Sequence, residues 1–199
     1  MNHLTKCKLW YALYSIPMTL KLKLKGIATS GLVYTGGKMY AYRVDGSTIS
    51  IGRKCRFMSK HTGNQLGIYH PCIISTANKG AVLEIGDGCS FSGVGIRCFK
   101  SIKLGRNVRV GANVLIMDGD SHQDDPRAGE DKPIVIEDNV WIGANVTIMK
   151  GVTIGRNSLI GTGSIVTKSI PENVVAAGTP SKVLRPLTQE VIEQLNTRK

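Results

Sequence analysis

Aliphatic residues recur at every sixth position through the second half of the chain: Ile136, Ile142, Ile148, Ile154, Ile160 and Val166. Four residues after each of the first five stands Val140, Val146, Val152, Ser158 or Ser164, all small or β-branched. Gly143, Gly155 and Gly161 directly follow three of the aliphatic positions. The same spacing joins Leu104, Val110 and Ile116, and earlier Ile51 with Phe57 and Ile85 with Phe91. A step of six matches neither the 3.6-residue period of an α-helix nor the 3.5 of a coiled coil. It predicts a short strand and a tight turn, repeated, with three such units closing a triangular coil of about eighteen residues. Ile136 then lies beneath Ile154, Ile142 beneath Ile160 and Ile148 beneath Val166, in layers about 4.8 Å apart. Glycines at the corners are expected to take backbone conformations that a Cβ resists.

The period is clear from residue 83, degraded between 47 and 83, and missing from residues 1–46. The predicted organisation is therefore an N-terminal extension over 1–46, a β-helix over 47–186 and a short helical tail over 187–199. Glu190 near the start of that tail and basic residues near its end suit a helix. Between Ile116 and Ile136 the grid breaks: they are twenty residues apart, so the second segment is two residues out of phase with the first. The segment there, MDGDSHQDDPRAGEDKP, is polar and charged, with two prolines and two glycines. A solenoid accommodates such a sequence only outside its wall, so residues 118–133 are predicted to form an extruded loop.

Composition narrows the picture. The 199 residues suffice for one domain, and with 23 glycines and only 6% aromatics its core must be aliphatic. Five cysteines, Cys7, Cys55, Cys72, Cys89 and Cys98, are odd in number and never spaced C-x-x-C. That excludes a disulfide framework or zinc ribbon and suits buried thiols in a reducing cytosol. A formal charge of +12, from 26 Lys and Arg against 14 Asp and Glu, implies anionic partners. Nucleic acid is disfavoured, because no aromatic-basic motif accompanies the charge. The N-terminal segment MNHLTKCKLWYALYSIPMTLKLKLKG is apolar and basic at once. Pro17 interrupts it and no small-x-small cleavage site follows, so it is read as a retained segment that packs on the domain or touches a membrane face. No stretch has the length of a transmembrane helix. The expected location is the cytoplasm, with peripheral contact at the inner face of the membrane.

Residues 134–187, IVIEDNVWIGANVTIMKGVTIGRNSLIGTGSIVTKSIPENVVAAGTPSKVLRPL, and more loosely 83–187, resemble the hexapeptide-repeat acyltransferases. Within that family the likeness is to the sugar O-acetyltransferases, including maltose and galactoside acetyltransferases and enzymes of capsule and O-antigen assembly. The resemblance implies a left-handed hand for the parallel β-helix and acetyl-CoA as co-substrate. It also implies a homotrimer with grooves between neighbouring subunits, and acetyl transfer to a hydroxyl of a sugar or polysaccharide precursor. His122 lies in the loop just before DNVWIGANV, where the resembling enzymes carry their catalytic histidine. A neutral imidazole there can accept the hydroxyl proton as the oxygen attacks the thioester carbonyl. Asp118, Asp120, Asp124 and Asp125 surround it, and Asp120 is the favoured candidate to orient the ring.

Carried over by position, backbone groups at Ala144 and Thr162 line the groove for the pantetheine arm. Thr167 and Lys168 match the family's Thr-Lys pair. Lys182 and Arg185 match its basic pair near the adenosine phosphates, with Lys182 standing where an arginine is often found. Family acceptor contacts fall near SFSGVGIRC, residues 90–98, where relatives offer Asn and Asp. Here the candidates are Ser90, Ser92 and Arg97, and Trp141 either caps the pocket or packs outside the coil. That departure, the basic N-terminus and the segment GRKCRFMSKH point to an anionic or membrane-linked acceptor. No metal is expected, because His3, His61, His70 and His122 do not resemble a three-histidine zinc site. A serine or amino-sugar N-acetyltransferase would share His122 and CoA, and a non-catalytic binding solenoid would need neither.

Overall fold

The computed structural model describes residues 3–122 and 124–197, with side chains from residue 13 onward. The chain climbs in coils of three short strands. The first coil is β1 (Ala28–Thr29), β2 (Tyr34–Gly36) and β3 (Tyr40–Tyr42). The second is β4 (Thr48–Ile51), β5 (Arg56–Met58) and β6 (Ile73–Thr76), and the third β7 (Val82–Ile85), β8 (Ser90–Ser92) and β9 (Gly95–Cys98). The fourth is β10 (Ser101–Leu104), β11 (Arg109–Ala112) and β12 (Leu115–Met117). The fifth is β13 (Ile134–Ile136), β14 (Trp141–Ile142) and β15 (Thr147–Ile148), and the sixth β16 (Thr153–Ile154), β17 (Leu159–Ile160) and β18 (Ile165–Val166). A hairpin of β19 (Val174–Gly178) and β20 (Ser181–Pro186) ends the stack, followed by α2 (Gln189–Asn196).

Corresponding strands of successive coils pair in parallel and make three faces. The first face runs β1-β4-β7-β10-β13-β16, the second β2-β5-β8-β11-β14-β17-β19-β20, and the third β3-β6-β9-β12-β15-β18. Ile136 pairs with Ile154, Ile142 with Ile160 and Ile148 with Val166, the predicted register. All six side chains are fully buried, as are Val140, Val146, Ser158 and Ser164. Each buried aliphatic stabilises the stack by about 1.5–3 kcal/mol, so the inner ladders hold the solenoid together.

Two features differ from the expectation. The solenoid starts at β1, well inside the segment assigned to a non-repeating extension over 1–46. Ala28 pairs with Ser50, Tyr34 with Arg56 and Tyr40 with Ile73, so the first coil is in register with the second. Its inward positions, Thr29, Thr35 and Ala41, keep the step of six but carry no large aliphatic side chain, which hides the period while leaving the pairing intact. The left-handed corner conformations, moreover, fall on asparagines more than on the glycines of the grid. Asn107, Asn113, Asn139, Asn145, Asn157 and Asn173 have φ between 55° and 62°. Asparagine tolerates that region, and here its amide also links layers: Asn107 donates to Asn139, Asn139 to Asn157, and Asn157 to Asn173, at 3.3, 3.1 and 2.8 Å. Gly143 serves close approach instead, since a Cβ there would stand 2.6 Å from the Thr162 backbone nitrogen of the next coil.

An open solenoid end exposes its interior, and terminal elements must cover it. Helix α1 (His3–Leu24) does so at the start, setting Met18 and Leu22 among Ile27, Val33 and Met39. The Ser15 hydroxyl accepts from the Thr35 backbone N–H, and the Thr19 hydroxyl from that of Val33. The segment read from sequence only as packing or membrane-touching is thus a cap on the first coil. Cys55, Cys72, Cys89 and Cys98 are buried and free, and the Cys7 side chain lies outside the described residues.

Ile154→Ala should cost about 2–5 kcal/mol of unfolding free energy in urea titration, through lost burial and a cavity between layers. Thr153→Ala, one residue earlier on the outer surface, should stay within about 0.5 kcal/mol. Comparable losses at the two positions would contradict the inward ladder.

Candidate functional site

The chain leaves the wall at the corner between the third and first faces, after β12 ends at Met117, and re-enters at Ile134. Asp118 roots this loop. Its carboxylate is fully buried and accepts the backbone N–H groups of Phe99, Lys100 and Ser101 in the coil turn below, at 2.5, 2.9 and 2.6 Å. A charged acceptor answers three donors that the turn would otherwise leave unpaired. The Lys132 N–H donates to the Asp118 carbonyl at 2.9 Å and closes the loop's base. Burial, and after it the Asp118 charge, push the neighbouring Cys98 thiol up to about 12, so it remains protonated.

From the layer above, Lys150 reaches down to the loop. Its ammonium donates to the Asp120 carboxylate at 2.6 Å and to the Ala128 carbonyl. Within the loop, the Arg127 backbone and guanidinium hydrogen-bond Asp125 and hold that carboxyl below the usual carboxylate range. His122 sits at the exposed outer part of the loop. Among the described residues its ring has no hydrogen-bond partner, and Asp120, the candidate to orient it, is engaged by Lys150 instead.

Other expected residues divide among the two edges of the third face and the second face. Thr167 and Lys168 are exposed at the same corner as the loop, two coils above its root. Arg97 is on the third face in register with Met117, its guanidinium 5.1 Å from the Phe99 ring. Phe99 in turn closes on Gly119, where a Cβ would come within 2.7 Å of the ring. Ala144 and Thr162 occupy the opposite corner, between the second and third faces, in successive coils tied by the Gly163 N–H donating to the Ala144 carbonyl at 2.9 Å. Ser92 ends β8 at that same corner. Trp141 is on the outer surface of the second face, 54% exposed, beside Arg109 and Leu159. Lys182 and Arg185 extend the second face on β20 and are exposed. A single chain therefore unites His122, Arg97, Thr167 and Lys168 and holds Ala144, Thr162, Trp141, Lys182 and Arg185 away from them.

Sequence reasoning missed Lys150, the rooting role of Asp118 and a second loop. Residues 59–72 leave the wall between β5 and β6, at the corner that carries Ala144. Asn113 anchors them, accepting from the Tyr69 N–H at 2.9 Å and donating to the Gly67 carbonyl at 3.1 Å. Ile68 is buried, while Leu66 and Tyr69 are 72% and 75% exposed. The signal was there: SKHTGNQLGIYHP has the same polar, Gly- and Pro-containing character as the longer loop. For Asp118 the signal was its position as the first polar residue off the grid.

A groove of about 1000 Å³ runs along the third corner, between the first and second faces, away from both loops. Its arginines are already matched: Arg53 with Asp87 at 2.9 Å, Arg106 with Asp138 at 2.8 Å and Arg156 with Glu172 at 3.0 Å. With these arginines paired, Lys54 is left as the lining cation outside an ion pair among the described residues, and the groove offers a phosphate little net attraction.

Residues 133–168 match the family described as bacterial transferase hexapeptide (six repeats), and residues 82–117 match the hexapeptide repeat of succinyl-transferase. The chain thus carries hexapeptide repeats on a left-handed β-helix, and its similarity runs to sugar O-acetyltransferases. It is 50% identical over 91 residues to galactoside O-acetyltransferase of Escherichia coli (strain K12), a match covering 44% of this chain and 45% of that protein. It is 48% identical over 91 residues to galactoside O-acetyltransferase of Lactococcus lactis subsp. lactis, covering 43% and 44%. The matched stretch is thus less than half the length of these curated relatives. The solved maltose O-acetyltransferase from Clostridium difficile 630 shares the fold, with a TM-score of 0.51 at 24% identity over 93% of this chain and 86% of that one.

Lys150→Ala should leave the melting temperature within a few degrees, since the loop supports no coil layer, yet make residues 120–128 sensitive to limited proteolysis. Asp118→Ala should cost about 3 kcal/mol or more by leaving three N–H groups without their acceptor. If both variants melt like wild type, Asp118 does not root the loop.

Proposed function

We propose that the chain is an acyltransferase that moves an acetyl group from acetyl-CoA to a hydroxyl of a sugar or polysaccharide precursor, with His122 as general base. The observation that carries this reading is the extruded loop, which presents an exposed histidine from a wall otherwise made of close-stacked coils. The likeness to galactoside O-acetyltransferases supports the chemistry. In the proposed reaction the imidazole takes the acceptor's hydroxyl proton as the oxygen attacks the thioester carbonyl. A backbone N–H stabilises the oxyanion of the tetrahedral intermediate. Collapse breaks the C–S bond, and the CoA thiolate leaves with the proton returned by the imidazolium. An activated thioester needs no covalent enzyme intermediate. Acetyl-CoA use fits a cytoplasmic location.

The separation of the candidate residues onto two edges of the third face supports a shared site. A homotrimer would set the His122 loop of one subunit against the Ala144 and Thr162 corner of its neighbour. The loop over 59–72 stands at that corner and so would border the acceptor, with exposed Tyr69 and His70 offering a ring to stack on a sugar and a polar edge. Asp120, tied to Lys150, then fixes the loop rather than the ring.

His122→Ala should lower kcat by at least about 10², leaving acetyl-CoA affinity and melting temperature near wild type. Co-expressed His122→Ala and Thr162→Trp chains, each inactive alone, should recover about a quarter of wild-type activity if sites form between randomly mixed subunits. No recovery would confine the site to one chain, and near-normal turnover by His122→Ala would refute the base.

Lys168→Ala and Arg185→Ala should raise KM for acetyl-CoA more than they lower kcat, because remote phosphates do not change during the reaction. The increase should shrink with dephospho-CoA thioesters for whichever residue meets the 3′-phosphate. Thiol release measured across neutral sugars, anionic sugars, amino sugars and serine separates the acceptor classes.

A further inference from the structure

Helix α1 is apolar on two opposite sides, and the coils use only one. Ser15, Met18, Thr19 and Leu22 face the first coil and are buried. Leu13, Ile16, Leu20 and Leu24 are 63%, 54%, 57% and 89% exposed. At about 100° per residue these four form one outward stripe, diametrically opposite the buried side. Lys21 and Lys23 fall on either flank of that stripe, and both are exposed. No polar residue interrupts it, and the exposed Pro17 borders it.

Charge is polarised toward the same end. Residues 1–44 contain seven Lys and Arg and no Asp or Glu, the first acidic residue being Asp45. Over half of the net charge of +12 thus belongs to the capping helix and first coil. We propose that this end of the solenoid docks on an anionic lipid surface, with α1 lying in the plane of the interface. Leu13, Ile16, Leu20 and Leu24 then enter the boundary of headgroups and acyl chains, while Lys21 and Lys23 extend their stems sideways and meet headgroup phosphates. The stripe is a convex ridge on a single helix, and a fluid lipid surface moulds to a ridge without a matching groove. A second copy is a poor occupant, because joining two such ends brings two basic poles together. The helix does not cross the bilayer: no described helix is long and apolar enough to span one.

Because α1 caps the stack, lipid docking stands the coils upright on the membrane. The His122 loop leaves the fourth coil, about 15 Å above the first at one strand spacing per layer. Taken with the acyl-transfer reading, on which this step alone rests, that height suits an acceptor hydroxyl carried on a lipid anchor. In a trimer with parallel axes, three such helices would face one surface and bind by avidity.

The test is flotation of the full chain with vesicles of phosphatidylcholine alone and of phosphatidylcholine with phosphatidylglycerol, with no activity readout. Binding to the anionic vesicles is expected to be at least tenfold tighter than to the neutral ones and to weaken with salt. Ile16→Ser/Leu20→Ser/Leu24→Ser should reduce it at least tenfold at unchanged melting temperature. Should that variant not fold, Leu24→Ser alone, at the most exposed position, should still weaken binding measurably. Lys21→Glu/Lys23→Glu should weaken it by roughly fivefold or more per lysine. Absence of binding, equal binding to both vesicles, or serine variants that bind like wild type would overturn the proposal. So would a larger oligomer in sedimentation velocity that the serine substitutions dissolve, which would assign the stripe to a second copy.

Discussion

Everything in this molecule hangs on the stacking of one coil on the next at strand spacing. Parallel pairing fixes the height of a layer, and the triangular cross-section leaves each face one main inward position per layer. A β-branched side chain fills that position and touches its equivalents above and below, so Ile136, Ile154 and their neighbours act as a column. The backbone of each corner must turn sharply and still lie against the corner of the next coil. Asparagine in the left-handed region meets the first demand and passes hydrogen bonds between layers. Glycine meets the second, where one Cβ would collide with the neighbouring backbone.

A wall under that constraint can carry chemistry only where the chain departs from it. It departs twice, at residues 59–72 and 118–133, on opposite edges of the third face. Each departure is anchored by a side chain that stays with the coils: Asn113 for the first and Asp118 for the second. Lys150 adds a strap from above. The loops are thus held at their roots by the stacked layers while their tips remain open to solvent. Such an arrangement lets the acceptor side of a site vary without disturbing a single inward column.

The two ends face the opposite problem, an interior that must be closed. The last coil ends in the β19–β20 hairpin, while α2 buries no residue and its final residues meet the asparagine corner through Asn139 and Asn157. The first coil solves it with α1, which inserts Met18 and Leu22 into the open layer. Closing the end leaves the other side of that helix apolar and basic, so the cap and the proposed lipid contact belong to one element.

The six-residue spacing from 83 onward was enough to give the strands, their inward residues and their eighteen-residue pairing, as with Ile142 opposite Ile160. It also marked residues 118–133 as a departure, because polar sequence off the grid has nowhere to go but outward. Those features are legible because stacking repeats the same local demand at every layer. The first coil was not legible: its inward positions, Thr29, Thr35 and Ala41, carry no large aliphatic side chain, and only pairing across layers, Tyr34 to Arg56 for example, reveals the register. The likeness to known transferases supplied His122 as a candidate base, but spacing did not foretell that Lys150 would take Asp120. Nor could it show that Asn113 would anchor a second loop at the Ala144 edge. Such facts depend on which corner each residue reaches after the chain has wound, and the winding exists only once the layers close on one another.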